Sequence, residues 1–344
     1  MAATSQLTMK LPEMRKFRGR HFLDDQDFTA QELRELLDFS IALKALWGKK
    51  PATPFLSGKH LGMFFEFAST RTRLSFETGM AELGGDAPCM RPGEIHLPGK
   101  ESVGDTARTF ALFCQASMLR LEHWAVLEEF ARESPVPVIN GMVTDRNHPV
   151  QSMTDAMTIL ELEGHFDGLT VACVGPTDCM LDADMLTLSR LGMNVRVASP
   201  LFSPHWGRVR KQVVANCKAA GASLYETDDP ADAVSEADFV IDITWTWYGM
   251  TEAEKQRVVD ICGPFQVNAD LWKHTKPGAR YMNCLPAVRG QHVTDEIIDG
   301  PQSIVWREAE NRKHFQKGLM LALIGIDELP ADPDLHDIAR VLLD

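Results

Sequence analysis

The sequence predicts an α/β protein of two domains, each with a central parallel sheet flanked by helices. Three observations lead there. At 344 residues the chain is too long for one ordinary hydrophobic core. Short apolar runs alternate with longer stretches whose apolar residues recur at helical spacing, the pattern of parallel strands joined by helical crossovers. The alternation then starts afresh after a break near residues 150–165, where a long helix beginning at His148-Pro149 is placed to bridge both halves.

Taken in order, residues 24–46 repeat Leu33, Leu36, Leu37 and Ile41 on one helical face. Thr29 stands three residues before Glu32, the spacing of a capping box, and Phe28 is placed to staple onto Leu33. HLGMFFEF reads as a buried strand, and LSFETGMAELGG as a helix stopped by Gly84-Gly85. Residues 86–104, rich in Pro and Gly, read as a long loop. DTARTFALFCQ is a helix, ASMLRL a strand, LEEFARES a helix and PVPVIN a third strand. In the second series GLTVACVG, NVRVASP, ADFVIDIT, QVNADLW and ARYMNCLP read as strands, interleaved with helices such as DADMLTLSRLG and RVRKQVVANCKAAG. EAENRKHFQKGLMLALIGI forms the last helix, amphipathic and strongly apolar toward its end.

Composition limits the partners. A net charge of −13 disfavours nucleic acid and anionic membrane, both of which select broad positive surfaces. No apolar run approaches the roughly 18–20 residues of a membrane span. MAATSQLTMKLPEMRKFRG lacks the apolar stretch of a secretory signal. Seven scattered cysteines with no CxxC pair point to reduced thiols and a cytoplasmic protein.

One turn stands out in this acidic chain. Between the first strand and the next helix, Ser69-Thr70-Arg71-Thr72-Arg73 supplies three hydroxyls and two guanidinium groups. A helix start offers unpaired N–H groups and partial positive charge, and Arg adds bidentate contacts, so the turn suits an anion; a plain surface cap with solvated arginines is the alternative. It is no Walker loop, having no GxxxxGK[ST] and no glycine within.

The turn resembles the carbamoyl phosphate motif of the aspartate/ornithine carbamoyltransferases, and further segments extend the resemblance. Gly99-Lys100-Glu101-Ser102 with Asp105-Thr106-Ala107-Arg108, Met118-Leu119-Arg120, His148-Pro149-Val150-Gln151, Cys284-Leu285-Pro286 and Glu308-Ala309-Glu310-Asn311-Arg312 occur in family order over roughly residues 20–327. The implied reaction is attack of a neutral amine on the carbamoyl carbon of carbamoyl phosphate, with no metal, cofactor or protein nucleophile. The resemblance implies that Ser69, Thr70, Arg71 and Thr72 hold the phosphate, with Arg71 stabilising the leaving group. Arg120 and His148 would donate to the carbonyl oxygen, Gln151 and the Leu285 carbonyl would accept from the carbamoyl NH2, and Arg312 would close the site. Cys284 lines it, with a small buried thiol as the plain alternative. Residues 1–150 would bind carbamoyl phosphate, joined by a terminal helix returning at about 320–344, and residues 151–319 would bind the acceptor. A homotrimer with shared sites is implied, His96 in the loop Met90–Lys100 falling about where the ornithine enzymes place a Gln that reaches a neighbour.

Three acceptor positions depart from the ornithine pattern. Asp178-Cys179 stand where ornithine enzymes carry paired asparagines. In place of Asp-x-x-x-Ser-Met-Gly the chain has Ile243, then Trp247, Tyr248 and Gly249; a one-residue shift puts Asp242 at the acidic position instead. Asn283 replaces the His before the CLP motif. Removing an acid and a hydroxyl that pair with an amino-acid head group changes which substrate is accepted, so the expected acceptor is an amine other than free ornithine. Trp247 and Tyr248 suit a larger, acylated or cationic amine, or simply pack the loop. The competing readings are a true ornithine enzyme, an aspartate, N-acylornithine or diamine enzyme, a nucleotide-binding oxidoreductase, and a non-catalytic binder. Val171-Ala172-Cys173-Val174-Gly175-Pro176 lacks GxGxxG spacing, which disfavours the oxidoreductase.

Overall fold

A computed structural model describes residues 11–97, 99–247 and 249–343. In the first half come α1 (Ala30–Trp47), β1 (Leu61–Phe65), α2 (Thr70–Glu82), β2 (Cys89–Met90), α3 (Val103–Phe113), β3 (Ala116–Leu121), α4 (Trp124–Glu133) and β4 (Val138–Val143). The four strands form a parallel sheet in the order β2-β1-β3-β4. α5 (Pro149–Glu163) leads out of it. The second half holds β5 (Thr170–Val174), α6 (Cys179–Arg190), β6 (Asn194–Ala198), α7 (Trp206–Ala220), β7 (Leu224–Thr227) and α8 (Pro230–Ser235). It continues with β8 (Phe239–Asp242), α9 (Glu252–Cys262), α10 (Ala269–Trp272), β9 (Arg280–Asn283) and α11 (Asp295–Ile298). Its parallel sheet runs β7-β6-β5-β8-β9. The expected α/β class with two parallel sheets is therefore correct. α12 (Val305–Ile324) and α13 (His336–Leu343) complete the chain.

Local chemistry explains the boundaries. Thr29 and Glu32 form the capping box, the Glu32 carboxylate accepting the Thr29 N–H at 2.8 Å and Thr29 Oγ1 the Glu32 N–H at 3.1 Å. Every residue of β1 is buried, which is why this strand reads as a continuous apolar run rather than an alternation. Ser69 caps α2, so the hydroxyl-rich turn is the helix start itself and α2 begins at Thr70, ahead of the expected LSFETG.

Three sequence expectations need correction. QVNADLW is not a strand: Asn268 caps the short α10, accepting the Asp270 and Leu271 N–H groups, and Val267 makes only an isolated bridge. The fifth strand is instead β7, at the edge of its sheet and too polar and exposed to give an apolar signal. β2 lies within the expected loop 86–104. Separately, α5 and α12 are continuous helices across the expected domain limits at 150/151 and 319/320.

α12 packs on α1, α2 and α5, and one apolar cluster runs from α1 and β1 through α5 to α6, β5, β6 and α12. Two glycines permit this closeness. A Cβ at Gly79 would stand 3.1 Å from Lys317, and one at Gly318 only 2.1 Å from Ser40 Oγ and 3.1 Å from its Cα. Gly318→Ala therefore forces α1 and α12 apart; the expected cost is about 1–3 kcal/mol in denaturant unfolding, with the fold retained.

Candidate active site

The C-terminal edges of parallel strands, where ligands bind in such sheets, gather the candidate residues. Pairing of β1 with β3 sets Phe65 opposite Arg120, so Arg120 emerges beside the turn that leads into α2. A register shift in β3 at Leu119/Arg120, with Gly141 and Met142 (φ 137°) opposite, lets Arg120 Nη1 donate to the Gly141 carbonyl at 3.4 Å. The guanidinium lies over the Phe67 ring at 4.7 Å. Arg71 and Thr72 lie in the first turn of α2; Arg73 turns to Glu77 at 2.8 Å instead, beside a hollow of about 410 Å³ lined by Ser69, Thr70 and Arg91.

Arg312 brings α12 into this group. Its Nη1 donates to Gln151 Oε1 and its Nη2 to Thr72 Oγ1 at 2.7 Å, tying α12 to α5 and α2. Three guanidiniums thus share one poorly hydrated region. Burial and the nearby Arg312 charge bring Arg120 down to about 9, and burial with the Arg71 charge brings Arg312 down to about 10. Nε of Arg120 and Nε of Arg312 are buried without a partner among the described residues. His148, at the start of α5, is buried, and Nδ1 of its ring is likewise unpartnered. Burial first, then Arg312, Arg120 and Arg71, hold its pKa well below the ordinary imidazole value, so the ring is neutral.

Opposite stands the edge of the second sheet, where Asp242 pairs with Asn283 across β8 and β9. Cys284 and Leu285 follow, both half-buried, Leu285 at φ 54° with its N–H donating to Asn283 Oδ1 at 2.7 Å. The Cys284 thiol is pushed up, first by burial and then by Glu308, Asp155, Asp184 and Asp178, and stays protonated, which fits a lining residue rather than a thiolate nucleophile.

The acceptor candidates are less convergent. Asp178 caps α6, accepting the Met180 N–H at 2.7 Å, and burial raises it to about 6; Cys179 beside it is buried. Asp242 is not turned to the cleft. Its carboxylate accepts Tyr281 Oη–H at 2.6 Å, Asn283 Nδ2–H at 2.8 Å and His292 Nδ1–H at 2.8 Å, all from buried groups. Asp242 is thus engaged by three internal partners. Ile243 is 2% exposed, leaving no carboxylate where the loop begins. Trp247 is half exposed over a second hollow of about 420 Å³ with Leu201, Met250 and Arg257, apart from the arginine group. Tyr248 lies outside the described residues. His96 is exposed on the loop before α3, with no side-chain hydrogen bond to the group among the described residues.

Sequence reading missed the carboxyl groups behind Gln151. Gln151 Nε2 donates to Asp155 Oδ1 at 2.8 Å and to Glu308 Oε1 at 3.2 Å. The available signal was Asp155 four residues beyond Gln151, a polar pair on one face of an almost wholly buried helix.

Three guanidiniums and a neutral imidazole gathered beyond the C-terminal ends of β1, β3 and β4 suit a group transferase that takes an anionic donor. The description aspartate/ornithine carbamoyltransferase, carbamoyl-P binding domain, matches residues 20–161, and the Asp/Orn binding domain of the same family matches 167–323. The chain is 41% identical to an ornithine carbamoyltransferase of Methanoculleus marisnigri, over 89% of this chain and 97% of that protein. It is 41% identical to one of Pyrococcus abyssi, covering 90% and 96%. The solved ornithine carbamoyltransferase of Pyrococcus furiosus superposes with a TM-score of 0.86 at 38% identity, covering 90% and 99%. The chain belongs to the aspartate/ornithine carbamoyltransferase family and is a carbamoyl phosphate-dependent transferase.

A neutral His148 has a measurable consequence. Its folded pKa lies below that of the unfolded chain, so the unfolded state takes up a proton first and stability falls as pH drops through about 6.5. By NMR the His148 ring should not titrate there, and His148→Asn should flatten the stability loss between about pH 7 and pH 5.

Proposed function

We propose that the chain transfers the carbamoyl group of carbamoyl phosphate to an amine of an amino acid or related amine, and that the amine is not free ornithine. The observation that supports this most is the convergence of Arg71, Arg120, Arg312 and neutral His148 on one cleft. Ser69, Thr70 and Thr72, with the first N–H groups of α2, receive the phosphate. Arg120 and His148 donate to the carbonyl oxygen as the tetrahedral intermediate gains charge, the neutral ring through its single N–H. Gln151 Oε1 and the Leu285 carbonyl accept from the carbamoyl NH2, while Arg71 and Arg312 carry the charge of the departing phosphate, which takes the amine proton. Residues 1–150 with the returning helix act as the donor domain, and 151–319 as the acceptor domain.

The acceptor part of the proposal stands on Asp178-Cys179, Ile243 and Trp247. An amino-acid head group pairs poorly with an isoleucine and an indole, and well with an acid and a hydroxyl. The relatives named as ornithine enzymes make ornithine the necessary control.

Phosphate release from carbamoyl phosphate across a panel of amines is the test. Arg71→Ala should lower kcat/KM about 10²–10³-fold with the preferred amine. Equal turnover by the Arg71 variant would overturn the donor assignment; turnover of millimolar ornithine matching the best other amine would overturn the acceptor part alone. The proposed homotrimer predicts a light-scattering mass three times the 38.4 kDa chain, and a monomer that still transfers carbamoyl groups would exclude sites shared between copies.

A further inference from the structure

Asp155, Asp184 and Glu308 come from three helices, α5, α6 and α12, and each is about 1% exposed. Asp155 stands within hydrogen-bonding reach of both other carboxyls, and a hydrogen bond between carboxyl groups requires a proton. They are not disposed as a metal-binding set. The groups facing them are Arg312 on α12, Asp178 on α6, and Cys284 and Tyr281 around β9. Three buried carboxylates this close cannot all ionise, so the arrangement is satisfied by Asp184 and Glu308 as donors and Asp155 as the ionised acceptor.

The cluster touches the site at two points. Gln151 Nε2 is engaged by Asp155 and Glu308 together, at 2.8 and 3.2 Å, which fixes the amide with Oε1 toward Arg312. The other Glu308 oxygen accepts the Asn283 N–H at 3.0 Å, at the root of the turn whose Leu285 N–H is held by Asn283 Oδ1. We propose that Asp155, Asp184 and Glu308 act as one proton-sharing positioning unit that orients Gln151 and the Asn283–Leu285 turn for carbamoyl transfer. This rests on the carbamoyl-transfer reading above. The unit positions through Gln151 and the turn, and touches no reacting atom.

Burial and mutual repulsion hold Asp184 and Glu308 well above the carboxylate range. As pH rises through those raised values a second charge forms, Asp155 loses a donor, and the two carboxylates repel each other and pull the Gln151 amide out of place, so activity falls on the alkaline side. Asp184→Asn supplies a donor that does not titrate. It should keep kcat within about threefold and move the alkaline limb to higher pH. Asp184→Leu supplies none. It should lose about ten- to a hundredfold in kcat, with KM for carbamoyl phosphate changed by less than about threefold because the arginines are untouched. Equal kcat and identical pH profiles for wild type, Asn and Leu variants would overturn the proposal. If the Leu variant does not fold, Glu308→Gln decides: a limb displaced upward supports proton sharing, and an unmoved limb refutes it. Should no amine in the panel be carbamoylated, the transfer reading itself fails. Proton sharing is then read from the infrared C=O band of protonated carboxyls, which should weaken in Asp184→Asn if the unit exists and stay unchanged if it does not.

Discussion

Three guanidinium groups drawn together out of water repel one another, and much of this molecule is arranged to hold them there. Arg71 sits on a helix start, Arg120 on the end of a strand, and Arg312 on a helix that returns from the far end of the chain. None is neutralised by a salt bridge among the described residues. Their position is enforced by packing and by neutral acceptors: Thr72 Oγ1, the Gln151 amide, the Gly141 carbonyl and the Phe67 ring. Like charges held at fixed distance in a dry cleft are a preorganised field, and an incoming phosphate relieves the repulsion that the fold imposes.

That constraint accounts for the second wall. Carboxylates directly beside the arginines would quench the field. The carboxyls of Asp155, Asp184 and Glu308 stand one step back, behind Gln151, and hold most of their charge as protons. Gln151 is the neutral spacer between the two regimes, its carbonyl toward Arg312 and its NH2 toward the acids.

Much of this was legible in the sequence, for identifiable reasons. The capping residues Thr29 and Ser69 act within a few residues of themselves, so their effect can be read locally. β1 and β3 are long buried runs and declare themselves; β7 is a polar edge strand and does not, while QVNADLW has a strand-like composition that Asn268 overrules by capping a helix. Asp242 was ambiguous because a one-residue shift changes its role, and only its contacts with Tyr281, Asn283 and His292 commit it to the interior. The carboxyl cluster was out of reach, since its members become neighbours only when α5, α6 and α12 meet.

The returning helix also governs the order in which this chain can become itself. α12 supplies Arg312, which meets Thr72 across 240 residues of sequence, and its apolar face covers α1 and α2. During synthesis the first half emerges before α12 exists to cover α1 and α2, and that face stays bare while the second half is translated. Apolar surface exposed for that long is where a nascent chain sticks to others, and ribosome-bound chaperones recognise such surface. The helix that brings Arg312 to the proposed site is therefore also the seal on the first half, so the arginine group and a closed core arrive in the same event.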